Sequence, residues 1–125
     1  MFRRPVVILA ATAATTTLAA GALGRPAATP TKLQGTVGPG FTISLKNHGA
    51  KVKTLKPGSY SFVVSDKASI HNFVLERQTG GKFEKAITAL PFKGTKTFTT
   101  TLGKGKWKYY CKAHESTMFG FFTVK

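Results

Sequence analysis

From Leu33 onward the chain is written in short apolar–polar alternations broken by glycine and proline. "FTISLKN" sets Phe41, Ile43 and Leu45 against Thr42, Ser44 and Lys46. "SYSFVVSD", after the turn signal Lys56-Pro57-Gly58, sets Tyr60, Phe62 and Val64 against Ser61, Val63 and Ser65. "IHNFVLE" and "TKTFTTTL" follow the same period. Successive side chains of an extended strand point to opposite faces, so this period predicts half-buried strands, and the Gly, Pro and Asn clusters predict turns between them. Many short strands without a long helical pattern predict an all-β fold, an antiparallel sandwich or barrel.

Three segments carry finer expectations. "FEKAITAL" puts Phe83, Ile87 and Leu90 at i, i+4 and i+7, which predicts a two-turn helix over one sheet edge, ended by Pro91. "KGKWKYYC" places Trp107, Tyr109 and Cys111 on one face and Lys106, Lys108 and Tyr110 on the other. "GFFTVK" is open in phase: Phe122 and Val124 point inward and Phe121 outward, or the reverse. No internal repeat is present.

The N-terminus reads differently. "MFRRP" is a short positive segment, "VVILAATAATTTLAAGAL" an apolar run, and Ala20 to Ala22 offer the small residues a signal peptidase prefers. Residues 1–22 are expected to be a secretory signal cut after Ala22, with an uncleaved anchor as the alternative. Residues 23–32 read as a flexible Pro/Ala/Thr-rich lead-in and residues 33–125 as one domain. The expected location is extracytoplasmic, secreted or periplasmic.

With 19 Lys and Arg against four Asp and Glu, the net charge is +15. The lysines fall mostly on outward positions of the strand pattern. They serve as a solvated face, or meet anionic partners such as acidic proteins or a cell surface. Dispersed lysines without a recognition motif argue against nucleic acid.

Cys111 is the only cysteine. Exported proteins normally pair their cysteines, so a single one points to intermolecular pairing or to a thiol with a task. It stands in "YYCKAHESTMFGFF", with His114 and Met118 close behind. Cys111 ends one strand and Met118 opens the next, so three soft or borderline donors can converge at one strand–turn–strand corner. His71, opening "HNFVL" in phase with Phe73 and Leu75, is the natural fourth donor. Thiolate and thioether suit Cu(I), imidazole suits both copper states, and a trigonal His2Cys set with a weak axial Met is an electron-transfer pattern. Glu115, in the same loop, is an alternative oxygen donor. His48, in "KNHGAK", reads as a turn residue.

"HNF" followed by "YYCKAHESTMFGFFTV", with "TLGKGKWKYYC" leading into the cysteine, resembles the blue-copper cupredoxins, the family of plastocyanin and azurin. The resemblance covers about Leu33 to Lys125 and implies a Greek-key β-sandwich that carries one type 1 copper and moves single electrons. Carried over, it implies His71, Cys111 and His114 as equatorial ligands and Met118 as the axial one. It makes Asn72 the side chain that ties the two ligand loops together. Phe119 and Phe121, flanking Gly120, become candidates for docking a redox partner. The expectation is a monomeric carrier between redox proteins and not an enzyme, because four protein donors leave no open position for substrate. Copper handling, or a cationic surface-binding module in which copper is secondary, are the alternatives.

Overall fold

A computed structural model describes residues 29–125. The expected signal segment and most of the lead-in lie outside the described residues. Ten strands follow in order: β1 (Thr31–Val37), β2 (Ile43–Asn47), β3 (Ala50–Lys51), β4 (Thr54–Leu55), β5 (Gly58–Asp66), β6 (Phe73–Arg77), β7 (Phe83–Thr88), β8 (Gly94–Leu102), β9 (Gly105–Tyr110) and β10 (Phe119–Val124). The first strand begins at Thr31, inside the segment read as lead-in. One turn of 3-10 helix, Lys112–His114, interrupts the strands.

The strands form two five-stranded sheets, ordered β3-β2-β1-β5-β8 and β4-β10-β9-β6-β7. The chain passes between sheets at β3–β4, β4–β5, β5–β6, β7–β8 and β8–β9, the Greek-key habit of a β-sandwich. Most neighbours are antiparallel, but β1 runs parallel to β5 and β4 parallel to β10. Such pairs arise because the intervening chain visits the opposite sheet.

Period two builds the core. Leu33, Val37, Leu45, Tyr60, Phe62 and Val64 from the first sheet meet Phe73, Leu75, Trp107, Tyr109, Phe122 and Val124 from the second. Phe122 and Val124 therefore point inward and Phe121 outward, which settles the phase of β10. The described lysines are exposed apart from Lys108, which is half-buried and pairs with Glu115 at 2.7 Å. Asn47-His48-Gly49-Ala50 forms the tight β2–β3 turn, with His48 exposed at φ 49°.

Two expectations fail here, over "FEKAITAL" and at Phe41. The predicted helix over "FEKAITAL" is strand β7, paired antiparallel to β6. Phe83 and Ile87 are four residues apart, a spacing that satisfies a strand's period of two as well as a helix's 3.6, and Leu90 is exposed. Tyr110 does share the face of Lys106 and Lys108, yet it is buried: its cross-strand neighbours Val74 and Phe119 make a small apolar row there. Phe41, expected on a strand's apolar face, precedes β2 and is exposed.

Candidate metal centre

The centre is built from two connections at one end of the sandwich. The β9–β10 loop is wound by its own backbone. Cys111 N–H donates to the Met118 carbonyl at 3.0 Å, His114 N–H to Cys111 O at 3.1 Å, and Met118 N–H to His114 O at 2.8 Å. A short loop closed in this way leaves its side chains few directions to take. The second connection, between β5 and β6, delivers His71. Asp66 Oδ1 accepts the Ala68 N–H at 3.2 Å, and His71 N–H donates to Ala68 O at 3.2 Å.

These two loops bring three donor atoms together. His71 Nδ1 and His114 Nδ1 are 3.2 Å apart, and Cys111 Sγ lies 3.8 Å from the first and 3.7 Å from the second. A point equidistant from the three is about 2.1 Å from each, a metal–imidazole bond length and slightly short for a thiolate. Hydrogen bonding alone serves such a triangle poorly. Each neutral imidazole has one N–H to place on either nitrogen, and the thiol has one weak S–H. A single cation satisfies all three lone pairs at once. Among the described residues this is the cluster of His, Cys and acidic groups able to hold a metal ion.

Cys111 and His71 are fully buried and Met118 nearly so, whereas His114 is half-buried. Met118 belongs to the same core cluster as Cys111. Glu115 does not join the donors: its carboxylate is held by the Lys108 ammonium and stays exposed. His48 is far along the chain in its own turn.

The loops are also tied to each other. Lys112 N–H donates to Asn72 Oδ1 at 2.9 Å, and the Asn72 backbone N–H points at Cys111 Sγ at 3.5 Å. One residue thus fixes the spacing of the loops and supplies a donor to the sulfur. Next along, Phe73 N–H donates to Thr88 Oγ1 at 3.0 Å, anchoring the start of β6 to β7. Burial pushes the Tyr109 phenol upward in pKa. It does the same for Tyr110, helped by Glu84, which accepts the Tyr110 O–H at 2.8 Å and sets a carboxylate beside it.

Phe119 and Phe121 are 47% and 38% exposed on the outer face of β10. They stand 5.7 Å apart, with the Lys106 ammonium 4.4 Å above Phe121 and Lys108 5.8 Å from it. Phe41 and Ile70 are also exposed, by 58% and 57%. The sequence reading missed Phe41, which lies against both imidazoles.

Two sheets joined in this way, with a donor cluster at one end, are a cupredoxin-type β-sandwich, and the donor set fits a single type 1 copper. Among solved structures the chain is similar to rusticyanin. Reduced rusticyanin determined by NMR is 20% identical, with 75% of this chain and 76% of that chain covered and a TM-score of 0.51. Rusticyanin from Thiobacillus ferrooxidans is 22% identical with the same coverage and a TM-score of 0.46. The first of these likenesses shows the shared fold. No protein-family model and no curated protein matches the chain.

Proposed function

We propose that this chain is an exported type 1 copper protein that passes single electrons between extracytoplasmic redox partners. His71, Cys111 and His114 would hold the metal, and Met118, buried in the same cluster as Cys111, would add a thioether donor. The observation that carries this reading is the convergence of two imidazole Nδ1 atoms and one thiol sulfur within 3.8 Å of one another. When bound, copper supplies a one-electron Cu(I)/Cu(II) couple served by this mixture of soft and borderline donors.

The residues around it support a carrier. His71 and Cys111 are held by buried backbone on two sheet-anchored loops, so a change of charge at the centre meets a stiff ligand frame. The Asn72 N–H favours negative charge on the sulfur. His114 is the one donor of the four that is not buried, so its imidazole is the natural port for electrons. Four protein donors leave no open coordination position, which argues against an enzyme. Phe119 and Phe121 with their lysines form an apolar and cationic face suited to brief docking of an acidic protein, and the excess of lysines over acids steers such a partner in.

The test is a visible spectrum. Cu(II) is added to the purified protein and to Cys111→Ser. An intense thiolate-to-copper band in the wild type alone supports the reading, and a colourless wild type overturns it. A reversible one-electron wave in voltammetry then favours a carrier over a copper-handling protein.

A further inference from the structure

Phe41 is exposed, yet it is in contact with both histidines of the centre. Its ring stands edge-on to His71, centroids 5.4 Å apart at 69°, and to His114, 4.9 Å apart at 87°. The two imidazoles stand 4.9 Å apart at 75°. Three rings thus close a triangle of edge-to-face contacts, the favoured geometry for aromatic pairs.

The turn that carries Phe41 is built to stay there. Gly38 N–H donates to Thr42 O at 2.9 Å, closing the turn on itself, and Lys67 N–H donates to Val37 O at 2.9 Å, pinning it to the loop that leads to His71. Gly38 has φ 71°, and a Cβ there would sit 3.1 Å from His71 Cδ2 and 3.2 Å from the Ala68 Cβ. Glycine at this position therefore lets the turn close onto the histidine, with Phe41 three residues further along.

We propose that Phe41 is a positioning residue for the metal centre. Its ring holds both imidazoles with Nδ1 turned toward Cys111 before a metal enters, and covers the half-buried His114 against small chelators afterwards. The proposal rests on the copper reading. The terminal torsion of a histidine is broad and two-fold, so the imidazole of a half-buried residue on a one-turn helix has rotational freedom to lose on binding. A group ordered beforehand loses less at the moment of binding. Each edge-to-face contact biases a ring equilibrium by about two- to ten-fold, and Phe41 makes one with each histidine.

The experiment uses the full chain with Phe41→Ala, Phe41→Leu and Phe41→Tyr. In the metal-free protein, NMR should show cross-peaks from the Phe41 ring to both imidazoles. The His114 ring should be ordered in the wild type and the tyrosine variant and mobile in the other two. Transfer of Cu(I) to a bathocuproine chelator should be about tenfold faster for the alanine and leucine variants and near wild type for tyrosine. Thermal midpoints of the metal-free alanine and leucine variants should fall only slightly, by what the two ring contacts contribute, since Phe41 lies outside the core.

An alanine variant with unchanged ring order and release rate overturns the proposal. So does rescue by leucine, which would reduce the role to apolar cover, and so does a large fall in midpoint, which would make the faster release a sign of general loosening. If the wild type takes up no copper, the copper reading fails while the ring-order measurement still judges Phe41.

Discussion

Lys112 and Asn72, on different loops, are joined by a 2.9 Å hydrogen bond from the Lys112 backbone N–H to Asn72 Oδ1. This bond holds the cysteine and histidine loops at a fixed separation, and Asn72 is buried, so water cannot replace it readily. Deleting the amide in Asn72→Ala leaves the Lys112 N–H without its partner, which costs about 1–3 kcal/mol. The expected result is a lower denaturation midpoint for the metal-free protein. Asn72→Asp, which keeps an acceptor oxygen in place, should recover part of the loss. Equal midpoints for wild type and the alanine variant would show the loops to be held by other contacts.

Met118 offers a thioether from the last position before β10, buried beside Cys111. A hard oxygen donor favours Cu(II), whereas removal of a donor disfavours it. Met118→Gln should therefore lower the reduction potential and Met118→Leu raise it, with the thiolate band kept in both. Voltammetry on the two variants decides the matter. Identical potentials would reduce Met118 to packing.

Gly120 pairs with Tyr109 across β9 and β10, and the Tyr109 ring lies on the space a Cβ would fill. Gly120→Ala must push that ring off its place between Phe73 and Phe122, against which it is stacked. Overpacking of this kind costs about 1–3 kcal/mol, read as a shift in denaturant midpoint. The near-parallel Phe73–Tyr109 stack should loosen with it, visible as a weaker near-ultraviolet signal from tyrosine.

The strands and the cysteine loop were legible because both are local, whereas His71, forty residues from Cys111, joined them only through its phase in "HNFVL" and the family resemblance. A period of two shows in six or seven residues, and Cys111, His114 and Met118 share one loop. The helix over "FEKAITAL" was misread because Phe83 and Ile87 stand at a spacing common to both periods, and only the pairing with β6 decides between them. Phe41 was placed on a strand because the alternation of Ile43 and Leu45 runs back through it, whereas the Gly38–Thr42 hydrogen bond ends the strand at Ile43. Its contact with two histidines from distant segments has no sequence signature. The burial of Tyr110 was hidden for the same reason, since the row Val74, Tyr110 and Phe119 comes from three strands.

Tyr110 gives a pH dependence whose sign follows from its surroundings. Burial, and then the hydrogen bond and charge of Glu84, raise its folded pKa above the ordinary value of 10.0. Above that value the unfolded chain loses the phenol proton while the folded chain keeps it, so the unfolded state gains stability. The contribution of Tyr110 is thus complete below about pH 10 and is lost as pH rises toward the folded value. Tyr110→Phe removes this contribution. The stability difference between wild type and variant should narrow or reverse on going from neutral to strongly alkaline pH, and a constant difference would contradict it.

Charge predicts how the protein chooses small redox reagents. Lysines cover the described surface and four acids in all oppose 19 basic residues, so even without Arg3 and Arg4 the molecule is strongly cationic. An anionic oxidant such as hexacyanoferrate(III) is attracted to it and a cationic one such as tris(phenanthroline)cobalt(III) repelled. Raising salt from about 10 mM to about 0.15 M shortens the screening length from about 30 Å to about 8 Å. Oxidation of the reduced copper protein by the anion should then slow several-fold, while oxidation by the cation speeds up. Stopped-flow rates across this range provide the check. Two rates that ignore salt would mean that the field at the His114 edge is neutral despite the net charge, and that an acidic partner gains nothing by steering. Lys106→Glu combined with Lys108→Glu locates the effect. If partners dock beside Phe119 and Phe121, this change should weaken the salt dependence for the anion while leaving the visible spectrum as it was.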